Sequence, residues 1–257
     1  MPTQSNANEW VTLAVDDGTE ARAYIARPAG SGPHPGLILI MEALGVNVQI
    51  RGVADRYAEQ GYLVIAPDMF HRTESAFEST VMDWNQLKPL VMALTTEGFS
   101  SDLKAAFGWL TSQSDVDDSK IAALGFCLGG RAAFLANSEL PLAASVSYYG
   151  GGIAQNLLDR APKLHGPQLL FWGGKDANIT PEHTRAITDA LRAAGKTYVN
   201  VEFSDANHGF FNEMVADRYH PSAARESWAI AVRFLEDALG TREAGRGKRE
   251  AGNVRPN

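Results

Sequence analysis

The stretch Leu124-Gly125-Phe126-Cys127-Leu128-Gly129-Gly130 contains the only cysteine of the 257-residue chain. The apolar residues 120–124 predict a buried strand before it, and residues 131–136 predict a helix after it. A side chain between two such elements sits in a sharp turn, and glycines two residues before and after it let the strand and helix pass closely. Free N–H groups at the start of the helix favour a thiolate. The pattern therefore predicts that Cys127 is a nucleophile.

Two other interpretations of Cys127 remain open at this point. It could be an inert buried thiol, because free cysteine is among the most buried residue types. It could also be a redox-sensing thiol, but such a thiol calls for a resolving cysteine, and the chain has no second cysteine. The flanking glycines and the strand-to-helix context favour the nucleophile.

Segments typical of strands and helices alternate along the chain, which predicts an α/β fold with a mostly parallel central sheet and helices on both faces. The first two strands flank Asp16-Asp17-Gly18 and are expected to form an antiparallel hairpin at one edge of the sheet. The predicted strands cover residues 10–15, 21–26, 36–41, 62–66, 120–124, 143–149, 167–172 and 198–203. The predicted helices cover residues 49–60, 81–93, 101–112, 131–136, 181–194 and 221–239.

Composition and charge limit the classes of function. No linker divides residues 9–240, so we expect one domain there, and the Gly-rich residues 241–257 are expected to be a disordered tail. The formal charge of −7 argues against a nucleic-acid partner, and no segment approaches the length of a membrane span. The polar start of the chain has no signal-type apolar stretch, and the single cysteine fits a reducing compartment. These features predict a cytoplasmic protein whose oligomeric state, monomer or dimer, stays open.

An acid and a histidine follow the cysteine in the chain order that this kind of nucleophile requires. Asp176 comes after the predicted strand 167–172 and a glycine pair, and His208 comes in a loop after the strand 198–203. Each residue alone has an ordinary explanation, since Asp is common in turns and a loop histidine often bonds to backbone. Together, at strand ends where ligand groups gather, they predict a Cys127-His208-Asp176 triad.

A fourth candidate is Glu42, which directly follows the apolar strand 36–41. A carboxylate at a strand end is usually solvated or caps a helix. Here the strand is wholly apolar and its loop is expected to supply an N–H group to the active site. Glu42 is therefore expected to lie against the nucleophile.

At this point the chain resembles the dienelactone hydrolases (carboxymethylenebutenolidases), a family with the α/β-hydrolase fold. The resemblance covers about residues 9–240. It is carried by Glu42-x-x-Gly45-x-Asn47, Ala66-Pro67-Asp68, Gly125-Phe126-Cys127-Leu128-Gly129-Gly130, Gly173-Gly174-Lys175-Asp176 and His208-Gly209-Phe210.

The resemblance implies a role for each residue that matches the family's motifs. Cys127, His208 and Asp176 would form the triad, and Glu42 would partner the cysteine in the resting enzyme and help to generate the thiolate. The backbone N–H groups of Leu128 and Ala43 would form the oxyanion hole.

The sequence departs from the family in the residues that hold a substrate carboxylate. The resemblance implies one arginine shortly after the catalytic histidine, where this chain has Asn212, and a second arginine before the nucleophile strand. No arginine occurs between residues 73 and 101, where Lys88 is the only cation. Lysine and amide groups do not replace the fork of arginine, so we expect a preference for neutral or less acidic esters and lactones. Arg72 and Arg131 remain as alternative cations.

Aromatic residues near the proposed site are candidates for the wall of an apolar substrate pocket. The pocket is expected to contain Phe126, Trp84, Tyr149, Phe210 and Asn212. No cluster of metal ligands, phosphate loop or dinucleotide fingerprint is present in the sequence, so we expect neither a metal ion nor a cofactor.

The sequence therefore predicts a carboxylic ester hydrolase that acts on a small-molecule ester or lactone through a thioester of Cys127. One alternative is a broader carboxylesterase or thioesterase that acts on neutral esters. A second alternative is a binding protein that keeps the fold without turnover.

Overall fold

The computed structural model describes residues 9–241 of the protein, and one eight-stranded sheet forms its centre. In chain order the strands are β1 (Glu9–Ala14), β2 (Glu20–Ala26), β3 (His34–Ile40), β4 (Leu63–Pro67), β5 (Val116–Phe126), β6 (Ala144–Tyr148), β7 (Gln168–Gly173) and β8 (Tyr198–Phe203). Their order across the sheet is β1-β2-β4-β3-β5-β6-β7-β8. β1 and β2 are antiparallel at one edge, and β2 is also antiparallel to β4. The other six strands, β3 to β8, all run parallel to their neighbours among them. The predicted α/β class and edge hairpin are confirmed.

Helices cover the sheet. They are α1 (Val48–Glu59), α2 (His71–Glu74), α3 (Trp84–Ala93), α4 (Thr96–Thr111), α5 (Leu128–Glu139), α6 (Ile153–Asn156), α7 (Pro181–Ala193) and α8 (Pro221–Leu239), with a 3-10 helix at Leu158–Lys163. Every residue of β4, β6 and β7 is buried. Because successive side chains of a strand point to opposite faces, this burial means that both faces of the central sheet are covered.

The structure corrects several predicted boundaries. α4 begins at Thr96 rather than at residue 101, because the side chain of Thr95 accepts a hydrogen bond from the N–H of Gly98 and caps the helix. α3 begins at Trp84 rather than at residue 81, after a cap by Asp83. The short helices α2 and α6 and the 3-10 helix were not predicted, since four to six residues carry too little periodicity to reveal a helix.

The parallel strands place four nucleophilic or ionisable side chains at one edge of the sheet. β3 ends at Ile40, shortly before Glu42, and β5 ends at Phe126, directly before Cys127. β7 leads to Asp176 and β8 leads to His208. Because the carboxyl ends of parallel strands meet at one edge, the topology brings residues from four chain segments together.

None of the helices within residues 9–241 has the length and apolar character needed to cross a membrane. Residues 242–257, which make up nearly all of the predicted disordered tail, lie outside the described residues.

Candidate active site

The turn that carries Cys127 is strained and closely packed. Cys127 has φ 55° and ψ −115°, a backbone conformation that residues other than glycine rarely adopt. A Cβ atom at Gly125 would overlap the carbonyl oxygen of Gly129, and one at Gly129 would overlap the carbonyl oxygens of Ile40 and Met41. The two glycines therefore let α5 lie directly against the ends of β5 and β3. This packing fixes the turn that presents the sulfur.

The three residues predicted as a triad lie in one hydrogen-bonded row. The Nε2 atom of His208 is 3.1 Å from the Sγ atom of Cys127, and its Nδ1 atom is 2.7 Å from Oδ2 of Asp176. The other carboxylate oxygen of Asp176 accepts hydrogen bonds from the N–H groups of Asn178 (2.8 Å) and Ile179 (3.1 Å). Both oxygens of Asp176 are thus engaged as acceptors, and the imidazole is held with Nε2 directed at the sulfur.

The charges in this row support one another. Burial disfavours the imidazolium of His208, but the negative charges of the Cys127 thiolate and the Asp176 carboxylate outweigh burial and raise the pKa of His208 to about 10. Burial also disfavours the charged form of Asp176, yet the bonds from His208 and from two backbone N–H groups lower the pKa of that carboxyl below its usual value. The arrangement therefore favours the imidazolium form of His208 next to the sulfur of Cys127.

Glu42 is buried beside this row, with 4% of its surface exposed. Removal from water raises the pKa of Glu42 to about 7, although the charges of His208 and Arg218 and a hydrogen bond from Asn212 oppose this rise. The Nδ2 group of Asn212 donates to Oε1 of Glu42, while the Oδ1 atom of Asn212 accepts the N–H of Met214 at 2.9 Å. The bond from Met214 fixes the orientation of the amide, so its donor group must face the carboxyl of Glu42.

The loop that carries Glu42 and Ala43 is fastened to the segment around residue 78. Gly45 has φ 78°, and a Cβ atom there would overlap the carbonyl oxygen of Phe77. Asn47 caps α1 by accepting hydrogen bonds from the N–H groups of Gln49 and Ile50, and its amide donates to the carbonyl of Ser79 at 2.8 Å. The Gly45 and Asn47 positions of the motif thus hold the loop rather than perform chemistry.

Two backbone N–H groups are available near the sulfur. Among the described residues, neither the N–H of Leu128 nor the N–H of Ala43 donates a hydrogen bond to another group. Leu128 is the first residue of α5, where backbone N–H groups lack an intrahelical acceptor. Both groups are therefore free to bind a negatively charged oxygen.

A cavity of about 560 Å³ opens onto the sulfur. The residues that line it are Glu42, Ala43, Met82, Trp84, Cys127, Asn178, His208, Gly209, Asn212, Val215 and Arg218. Trp84 and Asn212, which were predicted for the pocket, are among them. Sequence reasoning missed Arg218, which has no ion pair or side-chain hydrogen bond to another described residue. No motif marks its position, ten residues after His208 and just before α8.

Three aromatic residues predicted for the pocket wall lie elsewhere. Phe126, Tyr149 and Phe210 are at most 1% exposed and do not line the cavity. Their rings pack in a cluster behind the site, with the rings of Phe126 and Tyr148 4.7 Å apart and those of Tyr149 and Phe210 5.2 Å apart. The ring of Tyr149 also lies 5.0 Å from that of His208. We therefore replace their predicted role at the wall with a packing role.

The alternative cations named from the sequence do not reach this cavity. Arg72 forms a bidentate pair with Asp102 (2.8 and 2.9 Å) and a further bond to Asp17 at 2.7 Å. Arg131 and Lys88 are not part of the wall either. Within residues 9–241, no three His, Cys, Asp or Glu side chains converge in a way that could hold a metal ion.

Fold and site together define an α/β hydrolase, and the comparisons with known proteins narrow the class. The model of the dienelactone hydrolase family matches residues 21–239, so the chain belongs to that family. A "Putative carboxymethylenebutenolidase" of Yersinia pestis is 34% identical over 226 residues, which cover 84% of each chain. One of Escherichia coli (strain K12) is 33% identical over 238 residues, which cover 88% of this chain and 85% of the relative.

Solved structures agree with this assignment. A crystal structure described as a "Putative Dienelactone Hydrolase" from Klebsiella pneumoniae subsp. pneumoniae superposes with a TM-score of 0.79 at 30% identity, covering 92% of this chain and 100% of the other. An acylaminoacyl peptidase of Pyrococcus horikoshii superposes with a TM-score of 0.70 at 14% identity, covering 94% of this chain and 43% of the other, and shares the fold alone. The protein is thus a hydrolase of the dienelactone hydrolase family.

Proposed function

We propose that the protein hydrolyses an ester or lactone bond of a small molecule through a thioester intermediate on Cys127. The observation that carries this proposal is the row Cys127–His208–Asp176, with contacts of 3.1 and 2.7 Å. Cys127 and His208 line a cavity of about 560 Å³. A nucleophile, a base and a group that orients the base are the parts that covalent acyl transfer requires.

Acylation begins with attack of the Cys127 thiolate on the substrate carbonyl, which forms a carbon–sulfur bond and a tetrahedral oxyanion. The N–H groups of Leu128 and Ala43 stabilise the negative oxygen. When the intermediate collapses, the carbon–oxygen bond to the leaving group breaks. The imidazolium of His208 gives its Nε2 proton to the departing alkoxide, which leaves as an alcohol or stays attached as the opened end of a lactone.

Deacylation uses the same histidine as a base. Formation of the thioester removes the negative charge of Cys127, which is a major cause of the raised pKa of His208. The imidazole then accepts a proton from water, and the resulting hydroxide attacks the thioester. Collapse of the second tetrahedral intermediate releases the carboxylic acid and restores the thiolate–imidazolium pair. Asp176 keeps the proton of Nδ1 in place throughout.

Glu42 supplies a proton acceptor next to this pair. It lines the same cavity as Cys127, and its pKa of about 7 lets it exchange a proton at neutral pH. We assign to it the relay of a proton from a Cys127 thiol to His208, which forms the thiolate–imidazolium pair, with Asn212 as its positioning residue.

The experiment that tests the proposal follows the intermediate directly. An activated ester should add one acyl group to the intact wild-type protein after rapid acid quenching, as seen by mass spectrometry. Cys127→Ala should show neither the adduct nor hydrolysis, whereas Cys127→Ser should retain a small activity. Hydrolysis by Cys127→Ala at a near wild-type rate would refute the proposed nucleophile. Absence of hydrolysis by the wild-type protein across esters and lactones would favour the binding-protein alternative.

The charge of the substrate is a second question, and two observations bear on it. Residue 212 is a neutral amide that is already bonded to Glu42, which favours a broader esterase acting on neutral substrates. The unpaired guanidinium of Arg218 in the cavity favours a substrate with an acid group. We adopt recognition of an acid group by Arg218 as the first candidate, and neutral esters as the second.

A further inference from the structure

Arg131 lies one helical turn after the nucleophile and faces a second cavity. This cavity has a volume of about 230 Å³ and lies where α4, α5 and α6 meet. Arg131 shares its wall with Phe99 of α4, Leu135 of α5 and Asn156 of α6. None of these residues lines the catalytic cavity.

The guanidinium of Arg131 is partly buried without an anionic partner. It lies 5.5 Å from the centre of the Phe99 ring, and a Cβ atom added at Gly152 would lie 3.0 Å from its Cδ atom and 3.1 Å from its Nη1 atom. Within residues 9–241 no carboxylate pairs with it, and its side chain donates no hydrogen bond. Burial consequently lowers the pKa of Arg131. Arg72 shows the usual alternative, because it is paired with two carboxylates.

A charge that is removed from water is normally paired, and the fork of arginine matches the two oxygens of a carboxylate. The cavity offers polar residues near the charge, namely Thr95, Thr96 and Asn156. Leu135 and Leu157 complete the wall, but each is at most 3% exposed, so the surface offered to a ligand is mainly polar.

We propose that this second cavity binds a small monocarboxylate, with its carboxylate on the guanidinium of Arg131 and beside Thr95, Thr96 and Asn156. The site is distinct from the substrate cavity and does not require turnover. Its ligand class is the same as that of an acid released by ester hydrolysis, but the binding itself does not depend on the proposed reaction.

The test measures thermal unfolding of the full chain in increasing butyrate at constant ionic strength. The matched control for Arg131→Met is Arg185→Met, since Arg185 is exposed on α7 and has no ion pair to another described residue. Wild type and Arg185→Met should show a saturable rise of Tm, and Arg131→Met should lose at least about tenfold in apparent affinity.

Two further measurements keep the outcome decisive. Protein alkylated at Cys127 with iodoacetamide should keep the butyrate effect, because the second cavity is separate from the substrate cavity. If Arg131→Met does not fold, Arg131→Lys keeps the charge without the fork and should weaken butyrate binding. An equal rise of Tm in wild type and the Arg131 variants, or its loss after alkylation, would overturn the proposal.

Discussion

The side-chain amide of Asn212 donates a hydrogen bond to the buried carboxyl of Glu42, 170 residues earlier in the chain. The N–H of Met214 holds the amide in the orientation that makes this bond. Burial raises the pKa of Glu42 to about 7, while the charges of His208 and Arg218 and this hydrogen bond oppose the rise. The bond from Asn212 therefore contributes to the protonation state of Glu42 in the pH range where the enzyme would work.

Replacement of Asn212 should move that protonation. In Asn212→Ala the bond that lowers the pKa of Glu42 is lost, so the pKa should rise above about 7. We expect the acid limb of the pH profile of kcat/KM to shift to higher pH by about one unit, with a smaller change at the plateau. Asn85→Ala, which alters an exposed residue of α3, should leave the profile unchanged. An unshifted acid limb in Asn212→Ala would remove Asn212 as the positioning residue of Glu42.

Glu42 should also make the stability of the fold depend on pH. Its folded pKa of about 7 exceeds the ordinary value of 4.5, so between these two values the folded state binds more protons than the unfolded state. The free energy of unfolding contributed by Glu42 therefore falls as pH rises from about 4.5 to about 7. Glu42→Gln lacks this titration, so its free energy of unfolding should increase relative to that of the wild type over that range. The difference should reach at most about 3 kcal/mol by pH 8.

Urea unfolding of both proteins at several pH values measures this difference. Glu139→Gln is a less suitable control, because Glu139 pairs with Arg160. Glu59→Gln, at the exposed end of α1, is a better one and should leave the stability curve parallel to that of the wild type. Parallel curves for Glu42→Gln and wild type would show that Glu42 titrates at its ordinary value.

The sequence was sufficient to predict the sheet and the row formed by Cys127, His208 and Asp176. Apolar strands that end directly before Glu42 and Cys127 are local signals, and a parallel sheet leaves few ways to arrange them. The pocket wall was harder to predict, because the sequence around Phe126 and Phe210 does not show whether an aromatic ring faces a cavity or packs in the core. Arg218 could not be found, since it reaches the cavity from a loop without any repeat or motif.

The close approach at Gly125 should make that residue intolerant of a side chain. A Cβ atom there would overlap the carbonyl oxygen of Gly129, so α5 must move away from β5. We expect Gly125→Ala to destabilise the protein by about 2–4 kcal/mol and to abolish activity. Gly108→Ala, within α4 where nothing lies within 4 Å of the added Cβ, should stabilise the protein by about 0.5–1 kcal/mol. Denaturant unfolding of the two variants checks both signs.

Asp176→Asn should impair the reaction without disturbing the fold. Two backbone N–H groups occupy one oxygen of residue 176, so the new amide N–H₂ group must face Nδ1 of His208. The imidazole would then carry its proton on Nε2 in the neutral form, where it cannot accept one. We expect kcat to fall by about 10²–10⁴ and the pKa of His208 to fall below about 10.

The activity of Asp176→Asn and the NMR titration of His208 test the two parts of this prediction. Asp189→Asn changes an exposed carboxylate of α7 and serves as the control. A variant Asp176→Asn with wild-type kcat would show that this carboxylate does not orient the histidine.

Arg218 should distinguish acidic from neutral substrates. Its guanidinium lines the cavity without an ion pair to another described residue, and a charge-assisted bond to a substrate acid contributes about 1.5–3 kcal/mol. Arg218→Gln should therefore lower the ratio of kcat/KM for an acid-bearing ester to that for its methyl ester by about 10- to 100-fold. Arg185→Gln, an exposed site on α7, should leave this ratio unchanged.

The ratio separates recognition of the substrate from an effect on Glu42. The charge of Arg218 also lowers the pKa of Glu42, so its removal changes the rates for both substrates through that carboxyl. This effect cancels in the ratio, whereas a lost bond to the acid group does not. In the wild type the ratio should fall as salt concentration rises, because ions screen the contact at the open cavity. A ratio that is equal in wild type and Arg218→Gln would reject the acid-binding role and leave the neutral esters, which Asn212 favours, as the substrates.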